Sequence, residues 1–250
     1  MQGAGLAYSE EEKMTLQVRV GAEWVNTFHS NYCTQNNLSY RDDHAVGFYD
    51  QMGSHGHVKV FCWGNDNAWE TDFCHPTFGG DSLNWIDNVH FLFYSDHGGN
   101  WSNTMHIAFS AQQRYCLSPS TQWRLGERML KWFVLDCCQC VLNHTAAHIG
   151  AVWFGPTRGV HLIFGFIGNG TDSWWNDDLG SDFGHDAATG SRLANSWVDH
   201  AYSWWLDDDS IAIATGATEA EAINRRENES VNWRDYNVTS TSWLAWKYRE

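Results

Sequence analysis

LKWFVLDCCQC, residues 130–140, runs from apolar and aromatic residues straight into an acid and a group of cysteines. Read with NVHFLFYSDHGG, residues 88–99, it predicts two buried strands, one delivering His97 and the other Cys138. Each run is short, apolar on both faces and closed by polar or turn residues, the pattern of a central strand in a parallel sheet. In such sheets chemistry gathers at the carboxyl ends of the strands. A cysteine beside a histidine at that end is a route to a thiolate nucleophile.

Around this pair the composition sets limits. A chain of 250 residues can bury a good core, and no Pro/Ser-rich linker or charge block divides it. One domain is therefore expected over 1–250, with a core from about 15 to 225 and a C-terminal extension, 226–250. The net charge of −15 leaves no basic patch for phosphates, which argues against nucleic acid. No apolar run approaches the length of a membrane span. The partners expected are a peptide or small-molecule substrate. The seven cysteines suggest no disulfide framework, and no basic segment followed by an apolar core opens the chain. A reducing, cytoplasmic setting is the simplest expectation.

In chain order, strands are expected at 15–25, 57–65, 89–95, 130–136, 160–168 and 210–216, with further strand at 231–238 and 241–248. Helices are expected at 44–53, 139–155 and 191–208, the last from Leu193, Trp197, Ala201 and Trp205 at four-residue spacing. Segment 100–122 reads as an irregular, substrate-facing loop, and the Gly- and acid-rich 171–190 reads as a loop too. The alternation predicts an α/β fold with a mostly parallel sheet and helices on both faces.

The strand ends carry the chemistry. His97 can lower the pKa of Cys138 or remove its proton. Gly98 lets the backbone approach closely, and its N–H with that of Cys138 would bind an oxyanion. Asp136 and Asp96 are candidates for contacting substrate, Asp136 for a cationic side chain. The competing reading is a pair of ordinary strand ends, with a structural cysteine and a histidine in a turn.

FYSDHGG resembles the strand-then-His-Gly motif of caspase-like cysteine peptidases, the clan of caspases, metacaspases, legumains and gingipains. VLDCCQC resembles the Asp-x-Cys motif of metacaspases. The resemblance implies a six-stranded caspase-like sheet, His97 as general base, Cys138 as nucleophile and Asp136 in a specificity pocket. The spacing from His97 to Cys138 is close to the ~50 residues used by caspases. WGNDNAWETDF, HLIFGF and IATGAT resemble a caspase-like microbial and fungal family known only as a domain of unknown function. Two departures stand out: Asp96 where metacaspases usually have Gly, and Gln-Cys-Val after Cys138 in place of His-Ser-Gly. A caspase fold repurposed for cyclisation, ligation or other acyl transfer, or as a small-molecule binding module, is the alternative.

Other patterns compete. A strand ending one residue later would put Cys137 in the cleft instead of Cys138. His144 and His148 have the spacing of a zinc-binding helix, with Cys140 or His161 as a further ligand. No cofactor is expected, although Asp172, Asp177, Asp178 and Asp182 could offer oxygens to Ca²⁺. Trp174 and Trp175 lie beside acids in a loop and are candidates for the cleft wall, whereas Trp197 and Trp205 read as core.

Overall fold

Strands that place successive side chains on opposite faces of one sheet organise this molecule. The computed structural model describes residues 17–29, 31, 33–206, 208–232 and 240–250. The strands are β1 (Arg19–Trp24), β2 (Val58–Gly64), β3 (Phe91–Ser95), β4 (Gly98–Trp101), β5 (Thr104–Ala108), β6 (Leu117–Pro119), β7 (Trp132–Asp136), β8 (Leu162–Ile167), β9 (Asp209–Gly216) and β10 (Trp243–Arg249). Seven form the main sheet in the order β10-β9-β8-β7-β3-β1-β2, and β4, β5 and β6 form a small second sheet. Strands β2, β1, β3, β7 and β8 are parallel; β9 runs antiparallel to β8, and β10, antiparallel to β9, returns to the direction of the others. The fold is mixed α/β, as expected. The sheet is one strand wider than the six expected, because the tail strand β10 pairs along the whole of β9.

The helices are α1 (Arg41–Ser54), α2 (Glu70–Phe73), α3 (Ala146–Trp153), α4 (Leu179–Ala188), α5 (Leu193–His200) and α6 (Glu219–Asn228). Phe91, Phe93, Trp132, Val134, Leu162 and Phe164 point to one face and pack with α1, α4 and α5. Their neighbours Leu92, Tyr94, Phe133, Leu135 and Ile163 point to the other, where α3 and β5 close a second core. Helix α1 is set by a stripe of buried residues, Arg41, His44, Ala45, Phe48, Tyr49 and Met52, at helical spacing.

Several expectations are corrected. The loop at 171–190 contains α4, whose glycines serve close packing: a Cβ on Gly180 would fall 1.7 Å from the His44 carbonyl oxygen of α1. The irregular loop at 100–122 holds β5 and β6. The helix expected at 191–208 ends at His200, so Trp197 is buried but Trp205 is 78% exposed. Helix α6 had no expected counterpart, and most of the strand expected at 231–238 lies outside the described residues.

Cys33 and Cys116 form a disulfide across 83 residues of chain, contrary to the reduced set expected. Such a closure stabilises the fold by on the order of 4 kcal/mol in the chain-entropy account. Cys62, Cys74, Cys137, Cys138 and Cys140 are free. Among the described residues no helix is long and apolar enough to cross a membrane.

Two acids are buried between β1 and α2. Burial, reinforced by Asp72, pushes the Glu23 carboxyl well up, and burial pushes Asp72 up to about 7. An unfolded Asp ionises near ~3.9, so the folded chain holds more protons across the interval between these values. Stability therefore falls as pH rises from about 4 to about 7. Asp72→Asn should remove part of this loss, raising the thermal midpoint relative to wild type more at pH 8 than at pH 4. Equal shifts at both values would contradict the account.

Candidate functional site

The register of β3 and β7 builds the site. Ser95 lies opposite Asp136 in the parallel pair, and each chain leaves the sheet immediately afterwards. His97 and Cys138 thus stand two residues beyond matched positions on neighbouring strands. Gly98 closes the gap: a Cβ there would lie 2.6 Å from the Cys138 carbonyl oxygen and 2.7 Å from Cys137 Sγ. Only glycine permits this approach. Gln139, with φ of 59°, turns the chain sharply after the cysteine, and its Oε1 accepts from the Asn100 N–H at 3.0 Å.

His97 has one ring nitrogen assigned by its partner. Nε2 is 2.8 Å from the carbonyl oxygen of Asn36, which can only accept, so Nε2 carries the proton and Nδ1 keeps the lone pair. The ring also lies against Phe28, with centroids 5.5 Å apart. Cys138 is half-buried, its thiol directed at the Gly170 carbonyl oxygen at 3.5 Å. Cys137 is wholly buried, and burial pushes its thiol well up. Alternation at the end of β7 therefore selects Cys138 as the accessible thiol.

The backbone offers two donors. In the β4–β5 ladder the Ala108 N–H donates to the His97 carbonyl oxygen, and Gly98 stands opposite Ile107. Hydrogen-bonded and non-bonded pairs alternate along an antiparallel ladder, so the Gly98 N–H points away from β5. Among the described residues neither this N–H nor that of Cys138 has an acceptor.

Both candidate substrate acids are corrected. Asp136 is 1% exposed and fully engaged: Arg41 Nη1 donates to Oδ1 at 2.8 Å, His44 Nδ1 lies 2.7 Å from Oδ2, and Ser95 Oγ donates to Oδ2. Burial opposes ionisation of Asp136, yet Arg41, His44 and the bonds from His44 and Ser95 hold its carboxyl below the usual carboxylate range. It has no free face for a cationic side chain. Asp96 is also 1% exposed; it accepts from the Tyr94 hydroxyl and the His97 N–H. Burial pushes its carboxyl well up against those two bonds.

Arg41 and His44 are the site-shaping residues that the sequence did not reveal. Arg41 also reaches Asp172, 3.6 Å from its Nε, and interacts electrostatically with Cys138. Asp172 in turn accepts from the N–H groups of Ser39 and Tyr40 at the start of α1. Arg41 fell outside the helix expected at 44–53, and the pairing of both residues with Asp136 is a tertiary contact that no local pattern signals.

Two cavities lie in this region of the molecule. On the histidine side a cavity of about 220 Å³ is bordered by Gln35, His97, Gly98, Trp101 and His106. A second cavity, of about 490 Å³, is lined by Trp175, Ser203, Trp205 and Leu206; the Leu206 carbonyl accepts from the hydroxyl of Thr171, the neighbour of Gly170. Trp174 and Trp175 stack at 3.8 Å, Trp204 and Trp205 at 3.7 Å, and all four are well exposed. The two loops are tied by the Thr171 N–H donating to Asp208 Oδ1 at 2.8 Å. Trp175 thus borders this cavity, and Trp174 stacks behind it.

The metal candidates do not converge. Helix α3 begins after Thr145, so His144 lies outside it, stacked on Tyr248 at 4.2 Å and paired with Glu250 at 2.8 Å. His148 instead accepts from the Leu142 N–H, Cys140 is buried against Gly165, and His161 pairs with buried Glu229. Of the acids considered for Ca²⁺, Asp172 is held as described, while Asp178 and Asp182 belong to the start of α4. Among the described residues no group of three or more His, Cys, Asp or Glu is placed to hold a metal ion.

In this mixed α/β fold two adjacent parallel strands are followed, two residues past their ends, by a histidine and an accessible cysteine. Residues 22–242 match the family described as a domain of unknown function, DUF6345, and the chain belongs to that family. No curated protein matches it.

Removing one partner from a buried ion pair leaves an uncompensated charge. Asp136→Ala should therefore lower the unfolding free energy by about 3–5 kcal/mol, measured in urea at pH 7. A substrate-contacting acid would leave stability unchanged and alter only turnover.

Proposed function

We propose that this chain is a caspase-like cysteine hydrolase, acting as an endopeptidase or a related acyl-transfer enzyme on a peptide-like substrate. The observation that carries the reading is the placement of His97 and Cys138 on matched strand ends, with two unpartnered backbone N–H groups beside them. Nδ1 of His97 accepts the thiol proton, and the Cys138 sulfur attacks the substrate carbonyl carbon. The N–H groups of Gly98 and Cys138 then bind the oxyanion, which is where preorganised donors contribute most. Collapse breaks the C–N bond, and His97 returns the proton to the leaving amine. Water, deprotonated by His97, attacks the thioester and regenerates the thiol; an amine in its place gives transfer instead of hydrolysis.

Specificity follows the space available. Asp136 is neutralised within the fold, so a preference for basic residues loses its foundation. The larger cavity, with Trp175 and Trp205 in its wall, fits a large aromatic or aliphatic side chain. Trp174 stacks behind Trp175 and supports that wall.

A mixed peptide library, read by mass spectrometry at neutral pH with and without Ca²⁺, tests both parts. Wild type should cut near large apolar residues, Cys138→Ala should cut nothing, and His97→Ala should lose about 10²–10⁴ in rate. Trp175→Ala should lower kcat/KM for the preferred peptides by about tenfold while sparing poor ones. If wild type leaves the library intact, the hydrolase reading fails. Cuts confined to Lys or Arg would overturn the apolar specificity alone.

A further inference from the structure

Among the described residues the Asn36 carbonyl is the one hydrogen-bond partner of the His97 ring, yet the segment presenting it is poorly anchored. Thr34, Gln35, Asn36 and Asn37 are all exposed, so no apolar burial holds them. The Asn37 side chain accepts from the Phe28 N–H at 2.8 Å, and the Leu38 N–H donates to the Asn26 carbonyl oxygen at 2.9 Å. Bonds of this kind contribute little when water competes. Cys33 differs from the rest: it is 1% exposed and covalently joined to Cys116.

Cys116 sits on rigid ground. Its carbonyl oxygen accepts from the Phe109 N–H at 3.0 Å, and its neighbour Leu117 begins β6, opposite Ala108. Strand β5 pairs on its other side with β4, which starts at Gly98. Gln35 and Leu117, close to the two cysteines in sequence, both line the cavity beside His97. The disulfide therefore links the segment that orients the imidazole to the sheet that carries the Gly98 donor.

We infer that the Cys33–Cys116 disulfide is a positioning element for His97, and that reduction by a dithiol switches the cysteine–histidine pair off. This rests on the proposed role of His97 as the base. The half-buried Cys116 sulfur is the point of attack: a dithiol thiolate forms a mixed disulfide there and displaces the Cys33 thiolate. The second thiol of the reagent then releases Cys116. Two protein thiols and one oxidised, cyclic dithiol result, the reagent supplying both electrons and the protons. The freed segment no longer holds its carbonyl on Nε2, and the imidazole loses both its orientation and its single tautomer.

The test compares the oxidised protein, the protein reduced with dithiothreitol and then freed of it, and the Cys33→Ser/Cys116→Ser double variant. Alkylation of Cys138 by iodoacetamide at pH 7 is followed by site-resolved mass spectrometry, beside ¹⁵N NMR of the histidine ring and near-ultraviolet circular dichroism. The expected result is alkylation slower by about tenfold to a hundredfold in both open forms. His97 should pass from the Nε2–H tautomer to a mixture, with the circular dichroism unchanged and the rate recovered on reoxidation. Equal rates and equal ¹⁵N shifts in all three proteins would overturn the inference, and so would loss of the aromatic dichroism, which would make the bond a purely structural staple. These readouts need no peptide substrate. A redox-sensitive His97 in a protein that cuts nothing would uphold the positioning role and defeat the peptidase reading.

Discussion

Everything at the carboxyl end of the sheet depends on one buried carboxylate. Asp136 ends β7, and from there it grips the first two turns of α1 through Arg41 and His44 and the end of β3 through Ser95. A charge so buried is tolerated only when paired and hydrogen-bonded, and here both oxygens are used. The consequence is geometric. The ends of β3 and β7 cannot slide past each other without breaking this cluster, so the residues just beyond them keep a fixed relation.

That constraint also explains which features the sequence disclosed. The central strands were readable because burial on both faces demands continuous apolar runs such as FLFYS and WFVLD. Helix α4 was hidden because glycines that permit contact with α1 look, in sequence, like glycines that make a turn. The side sheet was hidden for a related reason: β5 and β6 are short, and the segment between them carries exposed polar residues at Gln112, Gln113 and Arg114. The strand β10 was anticipated as a segment, but its pairing with β9, which widens the sheet to seven strands, is a tertiary fact that no local pattern carries.

The candidate site divides along the same line. His97, Gly98 and Cys138 were legible because they sit where an apolar run stops, and because chemistry in parallel sheets collects at such points. Asp136 was legible as a residue but misread in role, since the cation that neutralises it comes from a helix 95 residues away in sequence. Asn36 was invisible in principle, because it acts through its backbone carbonyl and any side chain could stand there. Cys33 and Cys116, separated by 83 residues, offered no spacing to suggest a bond.

The arrangement as a whole divides labour between rigid and tethered parts. Asp96 and Asp136, the acids that precede the candidate pair in the chain, are buried in the scaffold and serve it. The surface beyond them is left to exposed tryptophans and backbone groups on loops. Acyl transfer demands fixed donors and a correctly oriented base more than it demands extra charge near the nucleophile. Holding Asp136 against Arg41 commits that carboxylate to the scaffold. The same ion pair that orders the sheet end therefore fixes where the chain emerges beyond it.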